Sequence, residues 1–139
     1  MLKIDEYKVP TEWHAREALR EKGQFWTPDW IAEVMVEYVL TGGSEQVFDP
    51  AVGAGAFFRA AKTVAREKRT EIALAGMDID RAAIEQARQF GISAHDLANV
   101  RISDFIFDPP KHKLKSIVAN PPYICHHRLS PEIKEKLKQ

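Results

Sequence analysis

The run Asn120-Pro121-Pro122-Tyr123 carries the residue types needed to grip a planar amine. Two successive prolines fix two backbone φ angles and remove two N–H donors. The carbonyls of Asn120 and Pro121 are then held without competing local partners. The amide oxygen of Asn120 and a backbone carbonyl can together accept both hydrogens of an exocyclic amine, and Tyr123 offers an aromatic face to a flat group. A proline-rich turn would use the same four residues, so this run alone does not choose between the two. A second group is Asp49-Pro50-Ala51-Val52-Gly53-Ala54-Gly55. Glycines between a strand and a helix let a ligand approach bare backbone and the helix N–H groups. A tight strand–helix turn explains them equally well. A nicotinamide fingerprint needs a small residue three positions after Gly55; Phe58 stands there, which disfavours a dinucleotide pyrophosphate.

Asp78 follows the glycines by roughly twenty residues, the spacing of an acid that accepts hydrogen bonds from ribose hydroxyls. Its other role would be helix capping, and Asp80 is better placed for that. A ribose without a pyrophosphate points to a nucleoside cofactor. Asp104-Phe105 is the fourth polar cluster.

The elements that must position these clusters alternate. Thr11 to about Lys22 reads as a charged helix ended by Gly23. Thr27-Pro28 gives an N-cap and a proline at the first helical position. Trp30, Ile31, Val34, Met35, Tyr38 and Val39 recur at helical spacing and predict one buried stripe. Thr41-Gly42-Gly43 stops that helix. Strands are expected at Gln46–Phe48, Glu71–Met77, Asn99–Ser103 and Ser116–Ala119, and helices from about Ala56 to Lys68, after Asp80 with Ala83, Ile84 and Ala87 inward, and from Ser130-Pro131. Such alternation indicates a parallel α/β sheet. Ligands of these sheets bind beyond the carboxyl ends of the strands, and Asp49, Asp78, Asp104 and Asn120 all fall at strand ends. Four polar clusters on one rim suggest one ligand cleft.

Composition bounds the reading. The 139 residues are 45% hydrophobic and 29% charged, enough for a core and without low-complexity tracts. No apolar stretch approaches the ~20 residues of a membrane span, and Met1 to Glu6 is too charged for a signal peptide. The single cysteine, Cys125, excludes an internal disulfide and any multi-cysteine zinc site, so a cytoplasmic location is expected. Lys+Arg and Asp+Glu both number 20, which removes the simplest case of binding nucleic acid through bulk charge. The neutrality hides a split: 13 basic and 18 acidic residues precede Lys111, whereas 7 basic and 2 acidic residues follow from there. The basic segment holds the Asn-Pro-Pro-Tyr run and its flanks.

Taken in order, these motifs resemble the amino-terminal part of an S-adenosylmethionine-dependent adenine-N6 DNA methyltransferase of the gamma class. Gln24-Phe25-Trp26-Thr27-Pro28 resembles the family's tenth motif, Phe48 to Phe58 its cofactor motif, and Asn120 to Tyr123 its catalytic one. The run from Asn120 to Leu129, with Ile124 and His126-His127, is similar to type II enzymes that fuse modification and cleavage; type I modification subunits share much of the pattern. The resemblance implies a Rossmann-like methyltransferase fold, truncated to its first four parallel strands and preceded by a helical segment. It implies that Thr27 and the backbone of Ala51, Gly53 and Gly55 hold the methionine end of S-adenosylmethionine, with Asp49 beside its amino group. Asp78 would bind the ribose, Ile79 the adenine face, and Asp104 and Phe105 the adenine amine and ring. Asn120 and Pro121 would grip the target amine, fixed by Pro122, with Tyr123 stacked on the base.

An adenine amine is a poor nucleophile because its lone pair is delocalised into the ring. Two acceptors help pyramidalise the nitrogen, so orientation and electrostatics carry the catalysis. The base must leave the duplex to reach them. No covalent intermediate is required, and Cys125 is not expected to be a nucleophile. His126 and His127 lack a spaced partner set, so no metal is expected.

The family's later strands and target-recognition domain have no counterpart in these 139 residues. The expected division is a helical segment over 1–43 and the cofactor half of a catalytic domain over 44–139, inactive alone and at best a weak cofactor binder. Ser116–Ala119 would form an exposed edge, which tends to be covered by a second copy or by the remaining C-terminal half; the expected substrate is double-stranded DNA. A protein-glutamine or RNA-adenine methyltransferase, or a non-catalytic cofactor-binding scaffold, would use many of the same residues.

Overall fold

The computed structural model describes residues 27–123 and 129–138. They fall into two units, one ending at Pro121 and one beginning at Pro122, each taken here by itself. The helix expected over 11–22, the run Gln24-Phe25-Trp26, and Ile124, Cys125, His126 and His127 lie outside the described residues.

The first unit runs α1 (Asp29–Leu40), β1 (Gln46–Asp49), α2 (Ala56–Lys68), β2 (Ala73–Asp78), α3 (Arg81–Gln89) and β3 (Val100–Ile102). The three strands form a parallel sheet in the order β1-β2-β3, with Val47 opposite Leu74 and Gly76 opposite Val100. Because all three point the same way, their carboxyl ends share one rim.

Helix α2 forms where the sequence predicts it. Phe57, Ala60, Ala61 and Val64 recur at helical spacing and are buried, and Arg69 at φ 52° ends the helix, its N–H donating to the Ala65 and Arg66 carbonyls. Helix α3 starts on Asp80, whose Oδ1 accepts from the Ala82 N–H at 2.9 Å; Ala83 and Ala87 are buried. Val36, Val47, Phe58, Val64, Leu74 and Val118 belong to one apolar core. The first three expected strands hold within two residues, the ordinary slack of element ends.

Three expectations are corrected. Helix α1 packs against α2, but the residues it buries completely are Ala32 and Val36. Met35 and Val39 lean on the core, whereas Trp30, Val34 and Tyr38 remain 68%, 61% and 77% exposed. Helical spacing places an apolar stripe without saying which side meets a neighbour, and here the side with the small alanine does. Val34 and Tyr38 instead line an open groove with Ile117 and Ala119.

Second, Thr27 does not cap α1. Pro28 occupies the N-cap position, its carbonyl accepting from the Ile31 and Ala32 N–H groups at 3.1 and 3.0 Å. The Thr27 hydroxyl is engaged elsewhere.

Third, the fourth strand shrinks to an isolated parallel bridge between Phe48 and Ile117. The Phe48 N–H donates to the Ser116 carbonyl and the Val118 N–H to the Phe48 carbonyl, both at 3.0 Å. β1 offers only four residues, and Pro50, which would be next to donate toward Val118, has no N–H to extend the ladder. Ile117 is left 45% exposed, while Ser116 and Val118 are buried.

In the second unit, Ser130 caps a short helix α4 (Pro131–Lys136), its hydroxyl accepting from the Ile133 N–H at 3.3 Å. Pro131 stands at the start, as the sequence predicts.

Candidate functional site

The rim of the sheet gathers most of the residues singled out by sequence. Asp49 ends β1 and Asp78 ends β2; Asp104 follows β3 by two residues. Beyond the bridge on the other side of β1 lies Asn120. The four clusters therefore share one rim of the first unit.

Asp49 is fully buried. Its Oδ1 accepts from the Ala51 N–H at 2.9 Å, and its Oδ2 is buried without a hydrogen-bond partner. Burial, opposed by the Ala51 hydrogen bond and reinforced by the negative Asp78, raises its carboxyl from 3.8 to about 7. A buried, half-satisfied carboxyl is costly, and its unpartnered oxygen could accept from a donor or pair with a cation.

Asp78 holds the glycine loop. Its Oδ2 accepts from the Gly53 N–H at 2.7 Å and its Oδ1 from the Asp80 N–H at 2.9 Å. The loop stays open to backbone approach because Gly53 and Gly55 take positive φ angles, 54° and 81°. Gly55 is the N-cap of α2, so the loop delivers directly onto that helix's free N–H groups. A side chain at Gly55 would also meet Ile92 Cγ1 at 2.9 Å.

Asp104 takes a local partner and Phe105 a distant one. Asp104 Oδ1 accepts from the Ile106 N–H at 2.8 Å, and Phe105 stacks obliquely on Phe48 with ring centroids 6.0 Å apart. Ile79 stands 69% exposed beside Asp78, available to cover a flat ligand. Asn120 is half-buried and its Nδ2 donates to the Thr27 hydroxyl at 3.0 Å; Pro121 is exposed next to it. Pro122 and Tyr123 belong to the second unit, where Tyr123 is 63% exposed. The site thus brings together Thr27, Asp49, Ala51, Gly53, Gly55, Asp78 and Asn120. Among the described residues, no group of three His, Cys, Asp or Glu side chains could hold a metal ion.

Two positions escaped the sequence reading. Gly76, inside β2, lies where an added Cβ would stand 2.6 Å from the Asp49 carbonyl oxygen and 2.5 Å from Val52 Cγ2. A glycine within an apolar strand is the available signal for such close backbone approach. Arg59 is the other. Its guanidinium donates to the Ala54 carbonyl at 2.7 Å and to Asp29 Oδ1 at 3.3 Å, and sits 5.6 Å from the Phe90 ring centroid. It ties the glycine loop to the first turn of α1. Nothing in its local sequence signals that reach, because its partners are scattered along the chain.

The chain is similar to known proteins. The family model described as N-6 DNA Methylase matches residues 5–138. The Type II methyltransferase M.AccI of Acinetobacter calcoaceticus is 30% identical over 123 residues, covering 83% of this chain and 22% of that protein. The crystal structure of the type I restriction-modification system methyltransferase subunit from Streptococcus thermophilus superposes with a TM-score of 0.56 at 21% identity, covering 78% of this chain and 27% of that one. The fold is therefore shared with that subunit, and the chain spans only about a quarter of either relative's length. On the strength of the match over nearly its whole length, this chain belongs to the N-6 DNA methylase family.

Proposed function

We propose that this chain is the cofactor-binding part of a Rossmann-like, S-adenosylmethionine-dependent enzyme of a restriction–modification system, which methylates the N6 amine of adenine in DNA. The observation that carries the reading is the fully buried Asp49, whose unpartnered Oδ2 adjoins a bare glycine loop on the rim that also holds Asn120. The residues fit the cofactor. Asp49 is a partner for the methionine ammonium, the backbone of Ala51, Gly53 and Gly55 and the Thr27 hydroxyl suit its carboxylate end, and Asp78 suits the ribose. A carboxylate offers about four lone-pair sites, so Asp78 can hold Gly53 and Asp80 and still accept from ribose hydroxyls. Ile79, Asp104 and Phe105 are assigned to the adenine. When bound, S-adenosylmethionine supplies an electrophilic methyl group on a sulfonium.

Asn120 Oδ1 and the Pro121 carbonyl accept the two hydrogens of the target amine and turn its lone pair out of the ring plane. Pro122 fixes the backbone and Tyr123 supplies the stacking face for the extruded base. These groups act by orientation rather than by proton abstraction. Double-stranded DNA is the substrate and would meet the basic stretch from Lys111 onward. The division into a helical segment over 1–43 and a catalytic part over 44–139 goes with this reading, as does the need for a C-terminal half carrying target recognition.

Titration calorimetry with S-adenosylmethionine tests the cofactor assignment. Asp78→Ala should weaken binding about tenfold or more, the worth of a charged hydrogen-bond acceptor. Equal affinities for wild type and variant would remove Asp78 from the site. Labelled methyl transfer by the enzyme carrying this chain tests the reaction, and label in RNA or on protein glutamine rather than in N6-methyladenine would overturn it.

The groove of Val34, Tyr38 and Ile117 is proposed to be covered in the assembled enzyme, by the C-terminal half or by a second copy. The isolated chain should therefore self-associate in light scattering, and Ile117→Lys should return it to monomers. A wild-type chain that stays monomeric at its highest soluble concentration would refute the cover by a second copy.

A further inference from the structure

We infer that Thr27 is a positioning residue for Asn120: its buried hydroxyl anchors the amide whose oxygen grips the target amine. The inference rests on the reading above and adds to Thr27 a duty beyond the cofactor's methionine end.

The two side chains are 93 positions apart in sequence, yet the Asn120 Nδ2 donates to the Thr27 Oγ1 at 3.0 Å. Thr27 is only 8% exposed, so water competes little for this contact. Its hydroxyl is spared from the task its sequence position predicts, because Pro28 takes the N-cap of α1 with no side-chain hydrogen bond. Capping would have turned the hydroxyl toward the helix N–H groups; it turns toward Asn120 instead.

Both partners are held from behind. Thr27 leads into α1, whose Asp29 is tied through Arg59 to the Ala54 carbonyl of the glycine loop. Asn120 follows the bridge to Phe48, and in that bridge segment the Ser116 hydroxyl donates to the Val39 carbonyl of α1 at 3.3 Å. The catalytic amide is thus connected to the cofactor loop by Thr27, Asp29 and Arg59. An amide that must present its oxygen to an incoming amine gains from having its nitrogen arm fixed beforehand, since rotation about the terminal torsion of asparagine is otherwise soft. Such pre-orientation acts on the rate of transfer rather than on cofactor affinity.

Asn99 and Asn120 are the only asparagines in the 139 residues, so asparagine-selective ¹⁵N labelling yields two side-chain amide pairs. Asn99 is exposed and serves as the internal reference. In wild type the Asn120 pair should exchange with solvent several-fold more slowly than the Asn99 pair; equal rates would overturn the contact without any variant. Thr27→Val, which keeps the shape and removes the acceptor, should speed exchange at Asn120 several-fold toward the Asn99 rate, and Thr27→Ser should retain the protection. Protection unchanged in Thr27→Val would also overturn it.

In the assembled enzyme at saturating cofactor, Thr27→Val should slow single-turnover methyl transfer about tenfold, the scale of one hydrogen bond, with Thr27→Ser restoring the rate. A weaker Kd with an unchanged transfer rate would leave Thr27 to the cofactor alone and refute the inference. If the wild-type enzyme transfers no methyl to DNA adenine, the proposed reaction fails instead, while the exchange measurement still decides the contact.

Discussion

Asp49→Asn is expected to flatten the pH dependence of this protein's stability and to make it more stable than wild type above neutrality. The Asp49 carboxyl is raised from 3.8 to about 7, first by burial and then by the charge of Asp78, against the lowering effect of the Ala51 hydrogen bond. A raised carboxyl binds its proton more tightly in the folded chain than in the unfolded one. Its contribution is therefore fully present below pH 4 and is lost as the pH climbs through 7. At about 1.4 kcal/mol per pKa unit the cost of ionising Asp49 in the folded state is on the order of 4 kcal/mol by pH 8. Asparagine keeps the shape and the acceptor for the Ala51 N–H while remaining neutral, so that cost disappears. Chemical denaturation from pH 4 to 8.5 reads the effect directly. A wild-type curve as flat as that of the variant would show that Asp49 is ionised in the folded state throughout.

The same carboxyl links protonation to the proposed cofactor. An ammonium group beside Asp49 Oδ2 would compensate the buried negative charge and favour the ionised form. Binding below pH 7 should then release a proton, and affinity should rise toward neutrality and level off above it. Calorimetry in buffers of different ionisation enthalpy counts that proton. The variant should bind weakly at every pH, the result expected if Asp49 is stability given up for function, a trade common at functional sites.

Gly76→Ala is expected to cost about 3 kcal/mol or more and to lower the melting temperature by on the order of 10 °C. Its Cβ would lie 2.6 Å from the Asp49 carbonyl oxygen and 2.5 Å from Val52 Cγ2, with Phe58 Cζ at 3.4 Å. A flexible side chain could swing aside, but the carbonyl belongs to the loop that leaves β1. Relief would require displacing the segment that presents Asp49 and Gly53. Gly42→Ala is the control, because an added Cβ there meets nothing within 4 Å. A Gly76→Ala chain as stable as the Gly42→Ala one would mean that β1 and β2 lie farther apart than described.

Much of the site was legible in the chain because its residues sit at element ends, and element ends are written locally. The loop from Asp49 to Gly55 announces itself by a short apolar run, then a proline and two glycines. Asp80 was legible as a cap because an aspartate just before a helix has an immediate backbone partner. Helix α2 was legible because its alanines and phenylalanines repeat on one side. Where two local signals competed, the reading failed. Thr27-Pro28 satisfies the rule for a helix start, yet its hydroxyl belongs to a residue 93 positions away. Ser116–Ala119 has the composition of a strand, yet Pro50 and the short β1 leave it one bridge.

The sequence by itself determined which chemistry is possible: two acceptors for an amine at Asn120 and Pro121, bare backbone at Gly53 and Gly55, and carboxylates at the ends of parallel strands. These follow from residue type and spacing, which act over a few positions and need no knowledge of distant neighbours. Only the tertiary structure decided how that chemistry is held. It left Asp49 buried with one oxygen unpartnered, gave Asp78 the Gly53 N–H to hold, and used Gly76 to let two strands close. It also ran Arg59 from the glycine loop to Asp29 and joined Thr27 to Asn120. Each of those depends on burial and on contacts between segments far apart in the chain, and desolvation and long-range contact exist only once the sheet and its helices have come together.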